Sequence, residues 1–75
     1  MKKQEIREKA GAEIKRRRKE ERITQEKLSE LTGIGRTAIA KYELGTIELS
    51  LSHFAIICDA LGCSPADFWR GLDNE

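Results

Sequence analysis

The sequence is poor in almost everything that builds a catalytic or disulfide-stapled protein. Its 75 residues hold one histidine, two cysteines and one proline, and aromatics make up only 5%. A small secreted fold is usually stapled by about four or more cysteines, so that class is excluded. Cys58, Cys63 and His53 cannot together complete a tetrahedral zinc site, and no metal is expected. Cys58 lies in an apolar run and Cys63 follows Leu61-Gly62, so both read as small buried hydrophobes. No apolar run approaches the roughly 18–20 residues that cross a membrane. The opening Met1-Lys2-Lys3-Gln4-Glu5 is charged, unlike a secretory signal, and the expected location is the cytoplasm. His53 has no nucleophile or acid/base pattern around it, so it reads as an exposed polar residue. Neither catalysis nor a cofactor is expected. Strand signals are missing too, since no run alternates apolar and polar with β-branched enrichment.

What is present is charge and helix punctuation. Charged residues are 36% of the chain, yet the formal net charge is only +1. That balance hides a division: residues 1–45 hold 13 basic and 8 acidic side chains, residues 46–75 one basic and five acidic. A basic first part points to a polyanionic partner, and no apolar stretch points to a membrane.

The spacing predicts five short helices. Ile6, Ala10 and Ile14 share one face of a first helix over about 4–21. Gly11 weakens it by about 1 kcal/mol relative to Ala, so residues 1–9 are read as a basic arm or the start of helix 1. Thr24 caps a second helix with Glu26 in its first turn, Leu28 and Leu31 as apolar positions, and Gly33 as its stop. A third spans about 36–43, with Ile39 and Tyr42 inward and Gly45 beyond it. Ser50 or Ser52 caps a fourth, whose apolar face is Leu51, Phe54, Ile57, Cys58 and Leu61. Ser64-Pro65-Ala66-Asp67 opens a fifth with N-cap, N1 proline and capping-box acid, followed by Phe68, Trp69 and Leu72. The fold class is therefore all-α, one compact domain over 10–72 with a tail at 73–75.

Thr24 to Gly45 is the informative stretch. Two short helices meet at a tight glycine turn, which describes a helix-turn-helix. Ser29 and Ala38 are small where the helices approach, and Ile34 can plug the angle between them. Through Thr24, Gln25, Leu28, Gly33, Ile34, Ile39, Glu43 and Gly45, with Leu61-Gly62-Cys63-Ser64 at the corner of helices 4 and 5, the chain resembles the Cro and phage-repressor type of DNA-binding domain, the lambda-repressor-like fold of XRE-type regulators. The resemblance covers residues 10 to about 70.

The resemblance implies a five-helix fold and a dimeric regulator of transcription, most simply a repressor, on double-stranded DNA. Helix 3 would enter the major groove of a palindromic operator. Arg36, Thr37, Ala40 and Lys41 would meet base edges, Arg36 by bidentate bonding to guanine. Gln25, at the start of helix 2, would grip a phosphate. Lys15, Arg17, Lys19 and Arg22, in or beside the basic run of helix 1, would reach the backbone as well, with the stem of Arg17 covering the core. Arg18 and Glu43 would form a structural ion pair, and Tyr42 would wedge into the core. Thr46-Ile47-Glu48 and Leu44 depart from the pattern, because relatives often carry basic or polar residues there. Ile56, Phe68, Trp69 and Leu72 are expected at the homodimer interface. No sensor domain and no small-molecule effector is evident, so the reading is a stand-alone regulator, such as a Cro-like protein, a restriction-modification controller or a mobile-element repressor. The alternative is an antitoxin-type or protein-interaction module on the same helical fold.

Overall fold

A computed structural model describes residues 1–73; Asn74 and Glu75, the end of the expected tail, lie outside the described residues. Its five helices are α1 (Lys3–Glu20), α2 (Gln25–Thr32), α3 (Arg36–Leu44), α4 (Leu51–Ala60) and α5 (Pro65–Asp73). The punctuation residues act as their chemistry requires. Thr24 Oγ1 accepts the Lys27 N–H at 3.0 Å, Ser50 Oγ the His53 N–H at 3.2 Å, and Ser64 Oγ the Asp67 N–H at 3.0 Å. Ser50, not Ser52, therefore caps α4.

The core is built from Ile14, Leu28, Ile39, Ile57, Cys58, Phe68 and Leu72, with Ala10, Ile34, Tyr42 and Leu61 around them. Phe54 meets Phe68 edge-on, with ring centroids 5.1 Å apart. Cys58 is buried, and burial together with the neighbouring Cys63 pushes its thiol up to about 12. It stays an uncharged packing residue at neutral pH.

Helix α1 is gripped on two sides, against α3 and α5. It runs through Gly11 without a break, so residues 3–9 are helix and not an arm. Gly11 is there for close approach. A Cβ at this position would lie against the Tyr42 carbonyl oxygen and 2.7 Å from that of Glu43. Ala10, Glu13 and Arg17 form the stripe toward α5. The Glu13 carboxylate is only 4% exposed, and a Cβ at Gly71 of α5 would run into it. Arg16 and Arg17 hold that carboxylate at 2.6 and 2.7 Å. Hydrogen bonding from Arg16, with help from Arg17, outweighs burial and keeps Glu13 below the ordinary carboxylate range.

Several apolar assignments move. Phe68 and Leu72 are each 1% exposed, so both are consumed inside one chain and neither reaches a dimer surface. The chain's few large side chains are needed to close the space between α1, α4 and α5. Leu31 and Leu51 go the other way and are exposed. Leu51 continues the face of Phe54 and Ile57 on paper, but as the first residue of α4 it stays 81% exposed. His53 is half-buried, and its Nδ1 lies 2.6 Å from the Tyr42 hydroxyl.

Candidate nucleic-acid interface

The turn between α2 and α3 is locked by its own side chains. Gly33 adopts φ +74°, a left-handed conformation open to glycine, and its N–H bonds Ser29 O at 2.8 Å. The Thr32 hydroxyl donates to Leu28 O at 2.7 Å and accepts the Ile34 N–H at 3.1 Å. The Ser29 hydroxyl donates to Ile34 O at 2.6 Å. Ile34 is buried beneath. Short-range bonds thus satisfy backbone groups that a tight turn would otherwise leave open, which fixes α3 relative to α2.

Helix α3 then divides cleanly. Ile39 and Tyr42 face the core. Arg36, Thr37 and Lys41 are exposed, and Ala40 is half-buried. Residues 36, 37, 40 and 41 recur on one helical face. Arg36, Thr37 and Ala40 line a surface depression together with Gln25 of α2. Gly35 supplies no side-chain cap, so first-turn N–H groups of α3 stay available beside Arg36. The chemistry gathered there is a guanidinium fork, a hydroxyl, a methyl, an ammonium and an amide. These are groups that read base edges and bind phosphate.

Glu43, on the far side of α3, organises this region. Its side chain is 3% exposed. Arg18 Nε donates to Oε2 at 2.7 Å and another guanidinium nitrogen to Oε1 at 3.1 Å, a bidentate pair. Arg18 also donates to Ile23 O at 2.8 Å, and Glu43 raises its pKa above the ordinary arginine value. Gln25 Nε2 donates to Glu43 Oε1 at 3.1 Å. The same carboxylate therefore joins α1, α2 and α3 and aims the Gln25 amide. The pairing of Arg18 with Glu43 agrees with what the resemblance implied; the tie to Gln25 was not foreseen.

The basic residues of α1 do not form one patch. Arg17 is bound to Glu13 at 2.7 Å and to Asp67 O at 3.2 Å, on the α5 side, so it is a bridge between helices and not a free phosphate ligand. Lys15 and Lys19 are exposed, as is Arg22 beyond the helix end. None of the three lines the depression beside α3. Arg22 stands at φ +59°, left-handed for a non-glycine residue, where it turns the chain out of α1.

Arg7 was missed altogether. It donates to Gly45 O at 3.4 Å and to Glu48 at 3.0 Å, fastening the loop after α3 to α1. This gives the acid at 48 a role: through Arg7 it holds the loop from behind. A signal existed, because Arg7, Gly11, Ile14 and Arg18 are spaced i, i+4, i+7, i+11, a single helical stripe. Read for apolar residues alone, the stripe was invisible.

A helix-turn-helix family model, HTH_3, matches residues 14–68. A search of the curated proteins found no match. Among solved structures, the clp gene regulator ClgR from Corynebacterium glutamicum superposes with a TM-score of 0.88 at 29% identity, over 92% of this chain and 73% of that one. A second ClgR structure gives 0.86 at 29% identity, over 92% and 90%. The restriction-modification controller protein C.AhdI from Aeromonas hydrophila gives 0.81 at 25% identity, over 84% and 96%. With the locked turn, the divided α3 and the Arg18–Glu43 pair, these similarities lead to one conclusion: the chain belongs to the HTH_3 helix-turn-helix family, the lambda-repressor-like type of DNA-binding domain.

Proposed function

We propose that this DNA-binding regulator is a repressor that binds a palindromic operator as a homodimer, with α3 in the major groove. The observation that supports it most is the α3 face itself. Arg36, Thr37, Ala40 and Lys41 stand together on a helix whose entry turn is locked by Ser29 and Thr32. Arg36 reads a guanine by its fork, Lys41 reads a second base, and Thr37 and Ala40 meet base edges or a thymine methyl. Gln25, Lys15, Lys19 and Arg22 hold the phosphate backbone. Similarity to a gene regulator and to a restriction-modification controller supports regulation over a purely structural role.

One α3 offers too few base contacts for operator selectivity. Two-fold pairing would place two such helices about 34–36 Å apart on one side of the duplex. Ile56 and Trp69, 41% and 47% exposed, are the interface residues that remain after Phe68 and Leu72 are taken by the core.

Selection of bound fragments from random DNA tests the reading. The unmutated protein should enrich an inverted repeat. Arg36→Ala should relax one or two base pairs per half-site, with a discrimination loss of about 1–3 kcal/mol. An unchanged motif in Arg36→Ala would remove Arg36 from the base-reading set.

A further inference from the structure

A second concavity shares no residue with the α3 face. It is a groove of about 230 Å³ between the first half of α1, the loop before α4, and α5. Its walls are apolar, with Ile6, Leu49, Leu51 and Phe54 among them, the buried Phe68 and Leu72 behind, and Trp69 at one side. A dry cavity of about 150 Å³ already accommodates benzene, so there is room here for a longer hydrocarbon. The charged lining is Lys3, Arg7 and Glu48. Arg7 and Glu48 neutralise each other at 3.0 Å. Lys3 is exposed and has no ion-pair partner among the described residues. It is also the first residue of α1, whose N-cap Lys2 makes no side-chain capping bond, so open N–H groups and the positive helix end lie in the same place. Glu5 of that turn is not part of the lining. The groove is thus apolar along its length with one uncompensated positive charge at its open edge.

We propose that it binds a medium-chain monocarboxylate, the acyl chain against the apolar walls and the carboxylate at Lys3. Apolar walls favour the hydrocarbon, and the charge selects an acid over an amine of equal length.

Trp69 is the only tryptophan of the chain and lines the groove, so its fluorescence reports occupancy directly. Octanoate and octylammonium are titrated into the full chain and into Lys3→Glu, a change at an exposed helix start that spares the core. Octanoate should give a saturable change, with octylammonium about tenfold weaker or worse, and Lys3→Glu should invert that preference. A response that rises without saturating would overturn the proposal. So would equal affinity for the two amphiphiles, or octanoate binding unaltered by Lys3→Glu. If the Trp69 signal shifts on dilution of the protein alone and ignores octanoate, a second copy of the chain fills the groove and the proposal is wrong. The dilution outcome would instead support the Trp69 interface proposed above; the octanoate outcomes leave operator binding by α3 untouched, which the DNA selection tests separately.

Discussion

Replacing Gly11 by alanine sets helix propensity against tertiary packing, and the two give opposite signs. Within an isolated helix, Gly→Ala gains about 1 kcal/mol. Here the added Cβ would collide with the Tyr42 carbonyl oxygen and stand 2.7 Å from the Glu43 oxygen and 2.9 Å from its carbon. All three are backbone atoms near the C-terminal end of α3, so no rotamer change relieves the contact. The helices must separate, which strains the Arg18–Glu43 pair two turns along the same stripe of α1. Overpacking of this kind costs about 1–3 kcal/mol, and a clash with backbone belongs at the upper end. After the propensity gain the net loss is about 2 kcal/mol. In a domain this small each kcal/mol moves the melting temperature by about 4–8 °C, so Gly11→Ala should lower it by roughly 8–16 °C. Thermal unfolding followed by circular dichroism is the assay. Ala12→Gly, at the exposed neighbouring position, is the control and should lose about 1 kcal/mol through propensity alone. A Gly11→Ala protein that melts at or above the unmutated temperature would refute the close-packing argument.

Other outcomes are equally specific. The folded-state pKa of Glu13 is depressed below its ordinary value of 4.5, so its stabilisation is present above that pH and is lost as pH falls through the lower folded value. Glu13→Gln should therefore flatten the acid limb of stability measured by urea unfolding from neutral pH downward; an unaltered limb would remove Glu13 as its source. Arg22→Gly relieves a left-handed arginine worth about 1–2 kcal/mol against a glycine entropy cost of about 0.4–1, so the protein should gain roughly 0.5–1 kcal/mol. If Arg22 also neutralises a phosphate, the same variant binds DNA with a log–log salt slope shallower by about 0.9. Ile56→Glu should shift sedimentation toward monomer and shorten the DNA footprint to one half-site; a monomeric unmutated protein at high micromolar concentration, with and without DNA, would defeat the dimer proposal.

Local chemistry determined most of the secondary structure. Thr24, Ser50 and Ser64 mark helix starts because a side-chain oxygen must satisfy an orphan N–H, a need that involves only neighbours a few residues away. Gly33 marks the turn because its backbone angle is local as well. The exposed set on α3 was legible for a similar reason: once Ile39 and Tyr42 face inward, helical period leaves Arg36, Thr37 and Lys41 outward. What the sequence could not rank was competition between distant segments. Phe68 and Leu72 have the same apolar character as Trp69, and only the packing of α5 against α1 and α4 decided that two are core and one is surface. Arg17 and Lys19 look alike in the basic run, yet the buried Glu13 and the Asp67 carbonyl claim the first and leave the second exposed. Gly11 reads as a flaw within α1 and becomes a necessity only when α3 lies across it. Periodicity reports what a helix presents; which neighbour takes each face is set by long-range burial, where volume, charge and hydrogen bonding are satisfied together.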